Sequence, residues 1–132
     1  MFVCRYLKGS VVLGLALSLM GCANNSLIGI TITPSTAFFS YAPGLQRQFH
    51  AVGTFEQGHH PVTTQDITDE VTWESDATGI ATVSSTGLVT TTGIDYGNAD
   101  ITARMNGFTG LIIAHSSATV CSPGATVGSG GC

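Results

Sequence analysis

The sequence runs to 132 residues, with 4 Lys+Arg against 8 Asp+Glu and a formal net charge of −4. Charged residues make up 9% and hydrophobic ones 43%, with 17 glycines. The length suits one domain, and the lack of a basic cluster excludes a nucleic-acid partner, because phosphate binding needs gathered positive charge.

Arg5 and Lys8 form a positive start, and the apolar run VVLGLALSLM follows at 11–20. The run is about ten residues long, whereas a spanning helix needs roughly twenty. This pattern predicts a signal peptide over 1–21. Leu19-Met20-Gly21-Cys22 then resembles the lipobox of bacterial lipoproteins: an apolar residue, a variable one, a small one, then cysteine. The resemblance implies cleavage before Cys22, diacylglycerol on its sulfur and acylation of its new amino group. An ordinary secretory signal with an incidental cysteine is the alternative. One acyl chain holds weakly, at about 0.8 kcal/mol per buried methylene, while two or three hold durably. Ala23 follows Cys22 in place of aspartate, which in that family points to the outer membrane. The tether over 22–26 would reach roughly 12–15 Å and keep the domain beside its membrane.

Without residues 1–21, 111 residues remain, with no lysine and only Arg47 and Arg104 against eight acids, a net of −6. Cys121 and Cys132 then stand in a compartment that permits disulfides. A bridge across SPGATVGSGG would constrain the unfolded chain by about 3 kcal/mol. Free thiols, or an intermolecular bond at Cys132, are the alternatives. Residues 122–132 read as a Gly/Ser-rich tail.

Between these ends, short alternating segments follow one another. Ile28, Ile30 and Ile32 alternate up to Pro34, which stops or edges that strand. Phe49, Ala51, Gly53 and Phe55 alternate next, with Gln48, His50 and Thr54 facing away. Ile67, Val71 and Trp73 share a parity across a third strand. Ala81 and Val83 lead into a tight turn, Ser84-Ser85-Thr86-Gly87, before Leu88 and Val89 resume. Ala99, Ile101 and Ala103 alternate with Asp100, Thr102 and Arg104, and Asn106-Gly107 signals a hairpin. Residues 111–120 supply a final strand. About seven short strands predict an all-β antiparallel sandwich around Trp73, Phe49, Val83 and Ile101.

Five ordered blocks carry a family resemblance: ITITP at 30–34, QFHAVGTF at 48–55, DITDEVTWES at 66–75, GIATVSSTGLVT at 79–90 and ADITA at 99–103. They resemble the group 2 bacterial immunoglobulin-like domain (Big2) of intimin- and invasin-like surface proteins, over about 27–121. The resemblance implies an Ig-like sandwich with the tryptophan of VTW in its core. It also implies an envelope module of structural or protein-interaction type, with adhesion as a related role. Adhesins of that family string many modules behind a barrel, and this sequence shows one, so adhesion does not transfer directly.

Candidate sites are few. Asp66, Asp69 and Glu70 in QDITDE offer oxygens that calcium favours, although turn-stabilising and solubilising carboxylates are the default reading. His59 and His60 are adjacent, so an extended chain points them apart and gives a metal no pair. Phe38, Phe39, Tyr41 and Tyr96 are aromatics that could stack on sugar rings, making a carbohydrate-binding module the alternative function. Tyr96 could instead make a hydrogen bond of the tyrosine-corner kind. No G-x-S-x-G elbow and no lysine partner for a serine are present, so no catalytic residue is expected. No cofactor is expected beyond the calcium alternative, and the expected partners are the membrane and an envelope protein or glycan.

Overall fold

The computed structural model describes residues 25–128 and 131–132. The signal peptide over 1–21 and Cys22 lie outside the described residues.

Ten strands and no helix form among the described residues. β1 (Ser26–Thr33) pairs antiparallel with β4 (His50–Glu56), which pairs with β5 (Thr63–Asp66). A second sheet has the order β2 (Thr36–Phe39), β10 (Gly110–Val120), β9 (Gly97–Gly107), β6 (Thr72–Ser75), and its β2 runs parallel to β10. β3 (Gln46–Gln48), β8 (Leu88–Thr91) and β7 (Ala81–Val83) make a third. Phe49 alone separates β3 from β4, so the chain changes ladders there while that side chain stays fully buried. The sheets face one another as an Ig-like sandwich.

One core fills the space between them. It contains Phe49, Ile67, Trp73, Val89, Ile101 and Val120 together with Ala51, Ala81, Ala99, Ala103, Ala114 and Ala118. The alanines give the large rings room to interdigitate at interior packing density. Trp73 shows the arrangement directly, since its register partner on β9 is Ala103. Val83 packs on this cluster from β7 but is only half-buried. Alternation on β9 holds as read: Ala99, Ile101 and Ala103 are fully buried, while Asp100, Thr102 and Arg104 face out.

Three local features differ from the sequence reading. On β1, Leu27 is buried and Ile28 is 45% exposed, because a register shift between Leu27 and Gly29 leaves Ile28 without an opposite residue. A bulge of this kind turns an alternating side chain outward. The strand expected across 67–73 is a turn over 67–71 that links β5 to the start of β6 in a different sheet. Glu70 and Val71 N–H both bond the Ile67 carbonyl, forming a turn that keeps Ile67, Val71 and Trp73 buried on both sides of a sheet change. The β9–β10 hairpin turns at Phe108-Thr109, since Gly107 pairs with Gly110. Asn106-Gly107 belongs to the strand end, where a Cβ on Gly107 would lie 2.7 Å from the Leu27 carbonyl oxygen. The residue at that position is glycine for close approach, and the left-handed backbone falls on Gly110 at φ 133°.

Candidate functional site

The stretch VTWESDATGIATVSSTGLVT holds a packing unit. Trp73 donates its indole N–H to the Thr68 carbonyl at 2.9 Å, which satisfies the ring's polar atom inside the core. The turn over 84–87 closes against the same ring. Gly87 adopts φ 77°, and a Cβ there would collide with the Phe49 carbonyl oxygen and come within 3.0 Å of Trp73 Cζ2. Gln48 fastens the turn from β3, donating to the carbonyls of Thr86 at 2.6 Å and Phe49 at 2.8 Å. These hydroxyls and amides build fold rather than chemistry.

Of the acids of QDITDE, Asp66 ends β5, and Asp69 and Glu70 sit in the turn that leads to β6. Asp66 Oδ1 accepts from the Thr68 amide at 2.9 Å and the Thr68 hydroxyl at 2.5 Å. These two bonds hold the Asp66 carboxyl below its ordinary value of 3.8, the side-chain bond contributing most, with a smaller effect from nearby His50. Thr68 is the residue that sequence reading missed. It is buried, and its Oγ1 also accepts the Ala51 amide at 3.0 Å, joining β4, this turn and, through its carbonyl, Trp73. A threonine in a row of acids gives little sequence signal beyond the D-x-T spacing of a turn. Asp66, Asp69 and Glu70 line a shallow depression of about 350 Å³ with Gln48, His50, Ile67 and Thr68. Among the described residues no three His, Cys, Asp or Glu side chains gather as a metal-ligand set. Calcium therefore finds acids here without an assembled cage.

The aromatics converge at the other end of the molecule. Tyr41 and Tyr96 meet edge to face, ring centroids 6.2 Å apart at 81°. Tyr41, not Tyr96, makes the long-range hydroxyl bond, to the Gly93 carbonyl at 3.1 Å. The Tyr96 amide is held by Asp95 Oδ1 at 2.8 Å, and Ile94 beside it is 77% exposed. Buried Thr91 fixes the platform beneath, donating to the Ala42 carbonyl at 2.6 Å and accepting the Leu45 amide at 3.0 Å. Gly93 stacks on Pro43 so closely that a Cβ there would lie 2.8 Å from its ring. Phe39 is buried and Phe38 half-buried, with Gly131 lying near the Phe38 ring. The chain reaches that position because Cys121 and Cys132 are joined, their Cα atoms 5.3 Å apart.

His59 and His60 are exposed in the β4–β5 loop. On the outward face of the second sheet, His115 Nδ1 lies 2.7 Å from Asp100 Oδ2, and Arg104 pairs with Glu74. His115 is exposed and engages no hydroxyl among the described residues. No buried side-chain polar atom among the described residues lacks a partner.

A family model, the bacterial Ig-like domain (group 2), matches residues 28–111. The chain belongs to that family. Ice-binding protein 1 of Shewanella frigidimarina (strain NCIMB 400) is 39% identical over 79 residues, which is 60% of this chain and 8% of that protein. The chain thus spans under a tenth of that relative's length. As a group 2 Ig-like domain, it is a structural or interaction module in type, and the dry seam around Trp73 is the packing that such a module requires.

Proposed function

We propose that this chain is a non-catalytic contact module of the bacterial cell envelope, lipid-anchored at Cys22 and meeting an envelope partner with the pole that carries Tyr41, Ile94 and Tyr96. The observation that supports this is the separation of two poles by one strand. β9 begins next to Tyr96 and ends next to Phe108, whose amide bonds the Leu27 carbonyl at the chain's entry. Eleven antiparallel residues span about 35 Å. An anchor at Cys22 leaves the aromatic pole facing away from its membrane. Exposed tyrosines paired edge to face on a pinned loop are the kind of rigid amphipathic surface that protein contacts favour. Ala23 after Cys22, and the surface proteins in which group 2 domains occur, support an outer-membrane placement as part of this reading.

Photo-crosslinking in the native membrane tests this reading. A reactive residue at Tyr96 should yield a partner adduct, while one at Thr82, on the exposed side of β7, should not. Equal adducts from both positions would overturn the assignment. Mass analysis of the N-terminus should find Cys22 acylated, and Cys22→Ser should release the protein from membranes. Carbohydrate is the second reading, favoured by the exposed Tyr96 ring; loss of glycan retention in Tyr96→Ala, with no protein adduct, would select it. Ice contact, raised by the relative's name, fits less well. The outward positions of β9 and β10 mix Thr102, Ser117 and Thr119 with Asp100, Arg104 and His115, so no uniform hydroxyl array forms on these strands.

A further inference from the structure

Four apolar side chains, Ile28, Val62, Phe108 and Leu111, stand exposed at the pole where the chain enters the sandwich. Register places them together. Ser26 pairs with Glu56, and Leu27 with Phe55, which pairs in turn with Thr63, the residue after Val62. Ile28 is the bulged residue next to Leu27, and Phe108 N–H bonds the Leu27 carbonyl at 3.4 Å. Leu111 lies on the hairpin just beyond, opposite Asn106.

The Phe108 side chain takes no part in the core formed by the described residues. It occupies a two-residue hairpin turn, a place that favours Asn, Asp or Gly, and it is 82% exposed. Residues 105–114, MNGFTGLIIA, carry no charge. An uncharged, aromatic-tipped hairpin beside the anchored end of a chain is placed for one surface above others.

We propose that the β9–β10 hairpin tip rests in the interfacial layer of the anchoring membrane, with Phe108 inserted among the lipids as a second contact beside the acylated Cys22. This rests on the anchor reading above. Four residues from Cys22 to Ser26 span at most about 14 Å, and the tip is one hydrogen bond from Leu27, so the tether holds it within reach of the bilayer. Tethering makes a contact too weak to bind from solution effectively intramolecular. Apolar burial drives it, because a chain of net −6 after loss of 1–21 has no electrostatic attraction to anionic lipid. The contact fixes the sandwich upright and aims the Tyr41/Tyr96 pole outward.

The test uses the full chain, processed in a bacterial host and reconstituted in phosphatidylethanolamine/phosphatidylglycerol vesicles with brominated acyl chains. Phe108→Trp should emit at shorter wavelength and lose most of its added emission to bromine, unchanged by salt. Ile94→Trp, at the far pole, should keep solvent-like, unquenched emission, and Trp73 supplies a constant buried background. Equal quenching, or none, at both positions overturns the tip contact while leaving the anchor intact. Emission at position 108 that is blue-shifted but unquenched assigns the tip to a protein cover and also overturns it. An unmodified Cys22 by mass overturns the anchor reading and this one together.

Discussion

Thr68→Val removes one hydroxyl and almost no volume, which makes it the sharpest probe of how the sandwich is closed. The Thr68 hydroxyl accepts the amide of Ala51, a residue with no solvent exposure, and donates to Asp66. Valine leaves the Ala51 N–H without a partner where water has no access, a loss of about 1–3 kcal/mol. Asp66 contributes little to that figure, because its carboxylate is exposed and water replaces the lost donor. The Trp73 bond to the Thr68 carbonyl is untouched, so core packing is preserved. A loss of about 2 kcal/mol should lower Tm by roughly 8 °C for a domain of this size. Urea unfolding followed by emission of the single tryptophan should show a lower midpoint at unchanged slope. Thr68→Ser, which keeps the hydroxyl, should recover most of the loss. The same bond sets a pH dependence. Asp66 has its carboxyl lowered in the folded state, so its contribution is complete above 3.8 and disappears as pH falls through the lower folded value. Thr68→Val should shrink that component of acid sensitivity without removing it, because the Thr68 main-chain amide still donates to Asp66. Wild-type stability in Thr68→Val would refute the reasoning, since Ala51 would then find another partner.

Trp73→Ala should cost about 3–5 kcal/mol, through lost transfer energy and a cavity lined by rigid sheet, as read by chemical denaturation. Gly87→Ala should cost more than about 1 kcal/mol, because an L side chain at φ 77° would also strike the Phe49 carbonyl; calorimetry would detect the drop. Cys132→Ser should lower stability by up to about 3 kcal/mol in denaturant. Because the bond closes a loop beyond β10, it should leave the Trp73 emission spectrum of the folded protein unchanged.

Alternation along β4 and β9 was legible because each strand buries one face and wets the other, and a period of two marks that directly. The bulge at Ile28 was not, since three isoleucines in step look like one face until the β4 register shows an extra residue. Asn106-Gly107 misled for a related reason. Its glycine answers to the Leu27 carbonyl, a neighbour remote in sequence, rather than to the turn. The aromatic pole was half legible: Tyr96 was visible as an exposed candidate, but its pairing with Tyr41 depends on Thr91 holding a loop some 50 residues away. Thr68 was invisible for the same cause, because hydrogen bonds across the sandwich leave no periodic trace.

The sequence by itself determined an all-β sandwich built on Trp73, because hydrophobic alternation and turn chemistry act between near neighbours and are written along the chain. The resemblance of its ordered blocks made that sandwich Ig-like. Only the tertiary structure decided which pole gathers the tyrosines, where the hairpin turns and which hydroxyl closes the seam. Those depend on contacts between strands distant in sequence, whose register is set by the packing of the whole core.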